Sequence, residues 1–238
     1  MAKRLFDLCL AALGLVLTAP LLGIAALGIR LASPGPVFYR ARRVGKDGTF
    51  FTMYKLRTMH LGPGLSTSRI TGHADPRVFR FGRWLRRAKL DELPQLVNVL
   101  RGDMAIVGPR PEDPAIVARH YTALERETLR VRPGLASPGS LFHYTDGERW
   151  LGNADPERDY VDRLMPLKLA LDVVYVRGAS LRYDLRVIGR TAWAICAGLA
   201  GKRSFPAPRE LAAAQQLGLL NQTSRPAPAR RNAASAHL

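Results

Sequence analysis

Leu8–Ile29 runs for 22 residues without a charged side chain. At a rise of about 1.5 Å per residue, a helix of that length matches the hydrocarbon core of a bilayer. The basic start, Met1–Arg4, is shared with signal peptides, but the run passes directly into Arg30 and a Pro/Gly turn without a small-residue cleavage site. Pro20 stands near its middle, where the missing N–H and the ring clash predict a kink or break, and neither half then spans alone. Lys3 and Arg4 precede the run and Arg30, Arg40, Arg42 and Arg43 follow it, so the positive-inside bias supplies no outward end. Phe6–Leu31 is read as a helix–break–helix hairpin that enters one leaflet and returns, with Pro20 as the break. A kinked helix that crosses the bilayer is the competing reading, because proline is tolerated in membrane helices.

The 238 residues suffice for one substantial core with appendages. Lys plus Arg outnumber Asp plus Glu by 36 to 19, and the net charge of +17 implies a polyanionic partner: nucleic acid, an anionic membrane surface or a phosphorylated substrate. Most of the imbalance falls between Arg40 and Arg101, with 14 basic against four acidic residues. Cys9 and Cys196 lie in apolar surroundings at opposite ends, which fits buried thiols in a reducing compartment better than a disulfide framework. No zinc-ligand spacing is present.

After Ser33-Pro34-Gly35-Pro36, Val37-Phe38-Tyr39 predicts a short strand, Val44–Gly48 a hairpin turn and Thr49–Tyr54 the return strand. Leu61–Ala74, rich in Gly, Ser and Thr, reads as a mobile loop. Val78, Phe81, Trp84 and Leu85 recur at helical spacing with arginines between them, giving a helix suited to an anionic membrane surface or to core packing with a solvated cationic face. Asp91 is expected to cap the next helix, with Pro94 in its first turn, Leu93, Leu96, Val97 and Leu100 as the apolar stripe, and Gly102 as its end. Met104–Val107 reads as a strand, Gly108-Pro109-Arg110-Pro111 as a rigid turn, Pro114–Val131 as a helix and Leu135–Trp150 as a loop. A helix from Asp155-Pro156 to Val176 is interrupted or kinked at Pro166, and a last apolar helix ends at Leu199. Beyond Gly201 the composition predicts disorder apart from a helical patch at Arg209–Leu219.

Asp91 and Glu92 are adjacent carboxylates in a cationic stretch, and a carboxylate at a helix start most often only caps it. Here Arg86, Arg87, Lys89, Arg101 and Arg110 surround the pair, and arginine suits bidentate phosphate contacts. Two carboxylates among several cations hold the parts for phosphoryl transfer: a nucleophile or metal ligand, a base, and a clamp for negative charge. Either a carboxylate attacks phosphorus, giving an aspartyl-phosphate type of intermediate, or the pair holds a metal while the acceptor attacks directly. Spacing leaves both open.

Four features in order resemble the bacterial sugar transferases, the monotopic polyprenyl-phosphate phosphoglycosyl transferases. They are the Pro-interrupted apolar segment with Ser33-Pro34-Gly35-Pro36-Val37-Phe38; Lys55-Leu56-Arg57-Thr58-Met59; Leu90-Asp91-Glu92-Leu93-Pro94-Gln95-Leu96 with Asn98-Val99-Leu100 and Gly102-Asp103-Met104; and Val107-Gly108-Pro109-Arg110-Pro111. The resemblance implies transfer of a sugar 1-phosphate from a UDP-sugar to undecaprenyl phosphate, with release of UMP, at the cytoplasmic face of the bacterial inner membrane. It implies Asp91 as nucleophile and magnesium ligand, Glu92 as its catalytic partner, Arg86 and Arg110 as phosphate-binding residues, and Lys55 and Arg57 as a further basic motif at the substrate phosphates. Two departures stand out. Ala19-Pro20 replaces the family's Ser-Pro at the helix break, and Leu135-Ala136-Ser137-Pro138-Gly139-Ser140 replaces a Thr-Gly-aromatic-Ala-Gln type of run. The resemblance also implies the small, catalytic-core form.

The expected fold is α+β: a re-entrant membrane helix hairpin in residues 1–36, a compact, mostly helical cytoplasmic catalytic domain with short strands in 37–200, and an Ala/Pro/Arg-rich tail in 201–238. The competing readings are non-catalytic: a membrane-tethered nucleic-acid-binding protein motivated by the +17 charge, or a lipid-surface scaffold. The arginines cluster around carboxylates and no nucleic-acid motif is present, so no nucleic-acid partner is expected.

Overall fold

The computed structural model describes residues 1–61, 70–71, 75–151 and 155–220. Most of the loop expected at Leu61–Ala74 and the tail beyond 220 lie outside these.

Helix α1, Ala2–Ala32, is long and apolar enough to cross a membrane. Its backbone stays helical through Pro20, so the break expected there is corrected. Proline removes one N–H and leaves only the Val16 carbonyl without its helical donor, which a 31-residue helix tolerates. The Thr18 hydroxyl donates to the Gly14 carbonyl at 2.7 Å, a back-bond of the kind that bends helices. Asp7, Ala11, Ala25 and Ile29 are buried, whereas Leu13, Val16, Leu17, Ile24 and Leu27 are exposed. A soluble core helix does the opposite.

Both ends of α1 fasten to the same folded body. Lys3 Nζ reaches Asp184 Oδ2 at 2.5 Å, and Arg4 Nη1 donates to the Val99 carbonyl at 2.7 Å. At the other end Arg57 donates to the Ser33 carbonyl at 2.6 Å and to its hydroxyl at 2.8 Å.

Strands β1 (Phe38–Val44) and β2 (Phe50–Leu56) form an antiparallel hairpin in register from Phe38 opposite Leu56 to Val44 opposite Phe50. Helix α2 (Arg80–Arg87) carries Phe81, Trp84 and Leu85 of the expected apolar set, whereas Val78 precedes it in an isolated antiparallel bridge to Met59; Leu85 is fully buried and Trp84 is half exposed. A single 3-10 turn, Leu90–Glu92, then precedes helix α3 (Gln95–Arg101). Asp91 is therefore not the cap of α3. Pro94 holds that position, and the buried face is Gln95, Leu96, Asn98 and Val99 while Leu100 is exposed. Asn98 explains the shift: Tyr54 N–H donates to its Oδ1 at 3.1 Å, and its Nδ2 donates to the Thr52 carbonyl at 2.7 Å and Asp103 at 3.0 Å. A polar side chain thus ties α3 to β2. Gly102 closes the helix at φ 93°, a left-handed conformation that costs glycine little.

Strand β3 (Ala105–Val107) pairs in parallel with β4 (Gly134–Ala136). The single helix expected over Pro114–Val131 is split. Helix α4 (Pro114–His120) ends at an extended Tyr121, and a 3-10 segment, Glu125–Arg130, follows. Between them Glu125 Oε2 accepts from Thr122 N–H at 2.7 Å while Thr122 Oγ1 accepts from Glu125 N–H, a reciprocal box that starts a new segment. The loop expected over Leu135–Trp150 is instead β4, helix α5 (Pro138–Thr145) and a 3-10 turn. Ser137 caps α5 by accepting from Ser140 N–H at 2.9 Å, with proline in the first turn.

Helix α6 (Pro156–Asp159) runs through a π-turn, Tyr160–Leu164, into α7 (Met165–Arg177), so the expected interruption falls just before Pro166. Helix α8 spans Leu181–Leu199, and α9 (Glu210–Gln216) realises the helical patch. Ala214 and Leu219 pack on Ala170 and Val173 of α7, and Glu210 accepts from Arg190 at 2.6 Å. Both cysteines are exposed, correcting the expectation of buried thiols. Their apolar neighbours belong to helices that leave much apolar surface uncovered, so apolar context did not signify a core.

Candidate active site

Lys55 near the end of β2, Arg86 on α2, the Leu90–Glu92 turn and the Pro109–Pro111 turn converge on a cavity of about 690 Å³. Lys89 adopts a left-handed conformation at φ 57°, uncommon for a residue with a side chain, and so swings the Asp91–Glu92 turn out of line with α2.

Glu92 gathers cations. Arg110 Nη1 donates to its Oε2 at 3.0 Å and Nη2 to its Oε1 at 2.7 Å; Lys55 Nζ donates to Oε1 at 3.1 Å, and Lys89 Nζ lies 3.9 Å away. Burial alone would raise the Glu92 carboxyl, but Arg110, Lys55 and Lys89 outweigh it and hold the group well below the ordinary carboxylate range. It is a fixed anion, unsuited to taking up a proton. Asp91 differs in kind. Its Oδ2 lies 4.0 Å from Lys55 Nζ, and its buried Oδ1 has no hydrogen-bond partner among the described residues. Burial pushes its carboxyl upward despite Lys55, and Glu92 adds to the rise. Burial also lowers the Lys55 ammonium, which Glu92 counteracts.

Of the expected site residues, Asp91, Glu92, Lys55, Arg86 and Arg110 line one cavity. Arg86 Nε donates to Thr58 Oγ1 at 2.8 Å. Arg57 touches the cavity wall, but its guanidinium is committed elsewhere: it donates to Ser33 O, Ser33 Oγ and, at 2.6 Å, Pro36 O. These contacts fasten the turn after α1. Pro20, expected as a helix break, lies within continuous helix.

Among the described residues no group of three or more His, Cys, Asp or Glu side chains is set to hold a metal ion. A magnesium ion commonly takes one or two carboxylates and completes its shell with substrate phosphates and water. Asp91 lines this cationic cavity, and its buried Oδ1, without a hydrogen-bond partner among the described residues, fits that need.

Sequence reasoning missed a second cluster in the same wall. Tyr160 Oη donates to Glu112 Oε2, and Lys168 Nζ donates to Glu112 Oε2 at 3.2 Å and to Tyr160 Oη. His143 and Tyr144 of α5 also line the cavity, and Lys89 Nζ stands 4.9 Å over the Tyr144 ring. Glu112 followed directly on the Arg110 turn and was the one available signal.

Comparison with known proteins follows the same lines. The chain is 40% identical over 194 residues to the UDP-glucose:undecaprenyl-phosphate glucose-1-phosphate transferase of Caulobacter vibrioides, covering 79% of this chain and 67% of that one. It is 39% identical to the undecaprenyl-phosphate glucose phosphotransferase of Komagataeibacter xylinus, covering 78% of this chain but only 34% of the relative. It is 34% identical to the exopolysaccharide production protein ExoY of Rhizobium meliloti, covering 82% and 86%. The family model for bacterial sugar transferases matches residues 1–198, which takes in α1, the cavity and all but the last described helix, and the chain belongs to that family.

Proposed function

We propose that the chain transfers a sugar 1-phosphate from a UDP-sugar to undecaprenyl phosphate, releasing UMP, on the cytoplasmic face of the inner membrane. One observation carries the reading: Asp91 keeps a buried oxygen that no described residue hydrogen-bonds, beside a glutamate that draws three cations into the same cavity. The activities named for the relatives are of this type.

In the first step an Asp91 carboxylate oxygen forms a bond to the donor's sugar-bearing phosphorus while the phosphoanhydride bond breaks, and UMP leaves with the electron pair. In the second, an oxygen of undecaprenyl phosphate attacks that phosphorus and frees Asp91. Burial makes the Asp91 carboxylate less stabilised, hence more reactive, than a solvated one, and Lys55 keeps it accessible in its ionised form. Arg86, Arg110, Lys55 and Lys89 take up the diphosphate charge. Magnesium at Asp91 and the donor phosphates, when bound, supplies further charge neutralisation.

The membrane reading rests on α1. Its lipid-matched surface is exposed and both ends bind the same body, so a helix crossing the bilayer would separate Lys3 from Asp184 or Ser33 from Arg57. The proposed arrangement embeds the unbroken α1 in one leaflet with both its ends on the same side, residues 1–36 forming the membrane segment, 37–200 the catalytic unit and 201–238 the tail.

The test uses the full chain in a membrane mimic with magnesium and donor labelled at the sugar phosphate, without acceptor. The parent should release up to one UMP per protein and retain label. Asp91→Asn should lose both, by at least about a thousandfold in rate. UMP release unchanged in Asp91→Asn would show the nucleophile assignment to be wrong, and release without labelled protein would favour direct attack by the acceptor.

A further inference from the structure

The cavity lining extends from Arg57 and Thr58, beside the end of α1, to Ser140 and His143 on α5, Tyr160 in the π-turn and Lys168 on α7. Arg86, Arg110, Lys55 and Lys89 account for phosphate charge. In the transfer reading the lipid phosphate takes the end of the cavity beside α1. The α5–α7 wall is then left for the neutral, polar part of the donor.

His143 is the conspicuous group in that wall. No hydrogen bond from the described residues reaches its ring, which packs against Tyr160 with centroids 6.4 Å apart. Burial first, then Lys168, Lys89 and Arg110, push its imidazole well below the ordinary range, so it stays neutral. A neutral imidazole is a poor phosphate ligand, but it offers one donor and one acceptor, the same pairing a sugar hydroxyl presents. Lys168, Tyr160 and Glu112 form an internally paired set of buried charges behind it, which orders the wall and spends no free charge on the ligand. Asp172, one turn beyond Lys168, accepts from Gly139 N–H at 2.8 Å and seats the start of α5. A side chain at Gly139 would meet the Lys168 carbonyl at 2.3 Å, so this seating needs glycine.

We propose that His143 is the specificity-determining residue for the donor's sugar, its ring pairing with a sugar hydroxyl or acetamido group against the Lys168–Tyr160–Glu112 wall. This rests on the donor reading above.

The test compares the parent, His143→Gln and His143→Leu. UMP release is measured with UDP-glucose, UDP-galactose and UDP-N-acetylglucosamine, and affinity for UDP alone is measured by calorimetry. His143→Leu should change the ratios of kcat/KM among the three donors by about tenfold or more, the scale of one hydrogen bond. UDP affinity should stay within about twofold, and His143→Gln, which retains a donor and an acceptor, should lie nearer the parent. Uniform loss over the three donors with a parallel fall in UDP affinity would overturn the proposal, as would unchanged ratios. If the parent releases no UMP from any donor, the transfer reading fails separately. Calorimetry with the three UDP-sugars against UDP then decides the role of His143 by the same ratios.

Discussion

Arg110 grips Glu92 through both carboxylate oxygens, at 3.0 and 2.7 Å, and this pairing makes the two adjacent acids of the site unlike each other. Glu92→Gln removes the countercharge of Arg110, Lys55 and Lys89 together. Loss of one partner from a buried ionic cluster costs about 3 kcal/mol, so the variant should melt several degrees lower and bind UDP-sugar more weakly. Because Glu92 lies below its ordinary value of 4.5 in the fold, its stabilisation is full above that pH and fades as pH falls through the lower folded value. Urea midpoints of parent and variant should therefore converge in acid; a constant gap from pH 7 to pH 3 would contradict the assignment.

Asp172 gives the opposite sign. Burial raises its carboxyl from 3.8 to about 6, against the pull of Gly139 N–H and Lys168. The ionised form is thus penalised in the fold, and stability is lost as pH rises from about 4 to about 6, by roughly 3 kcal/mol in all. Asp172→Asn keeps an oxygen for Gly139 and drops the charge. It should be more stable than the parent at pH 7.5 and equal to it near pH 4, as read by chemical denaturation.

Arg57→Leu leaves the Ser33 and Pro36 carbonyls without their donor. The expected result is a loss of about 2–4 kcal/mol in stability with KM for UDP-sugar within about twofold. A tenfold rise in KM in a well-folded variant would instead place Arg57 in the phosphate-binding set.

Topology can be read with single reporter cysteines at position 2 and at position 35, after Cys9 and Cys196 are replaced, since both are exposed. Both reporters should react from the same side of sealed vesicles. Opposite sidedness would show a spanning helix.

The sequence was most readable where a local rule acted alone. The hairpin of β1 and β2, the glycine stop at Gly102 and the course of α8 follow from periodicity and turn chemistry. Start signals inside longer apolar patterns were overlooked: Thr122 with Glu125, and Ser137 before Pro138, each open a new segment. The partnering of Asp91 and Glu92 was legible as chemistry but not as division of labour. Which acid Arg110 would take depends on the left-handed Lys89, and nothing in a lysine codon announces that conformation. Arg57 illustrates the converse: a basic residue in a matching motif, it is spent on two carbonyls 21 and 24 positions earlier, a long-range pairing beyond the reach of local pattern.

Helix α9 lies outside the stretch matched by the family, yet Ala214 and Leu219 cover Ala170 and Val173 on the back of the helix that carries Lys168 and Asp172. The unit of inheritance and the unit of folding therefore have different lengths in this chain. A fragment cut at the family boundary would keep every residue of the cavity and lose the backing of one of its walls.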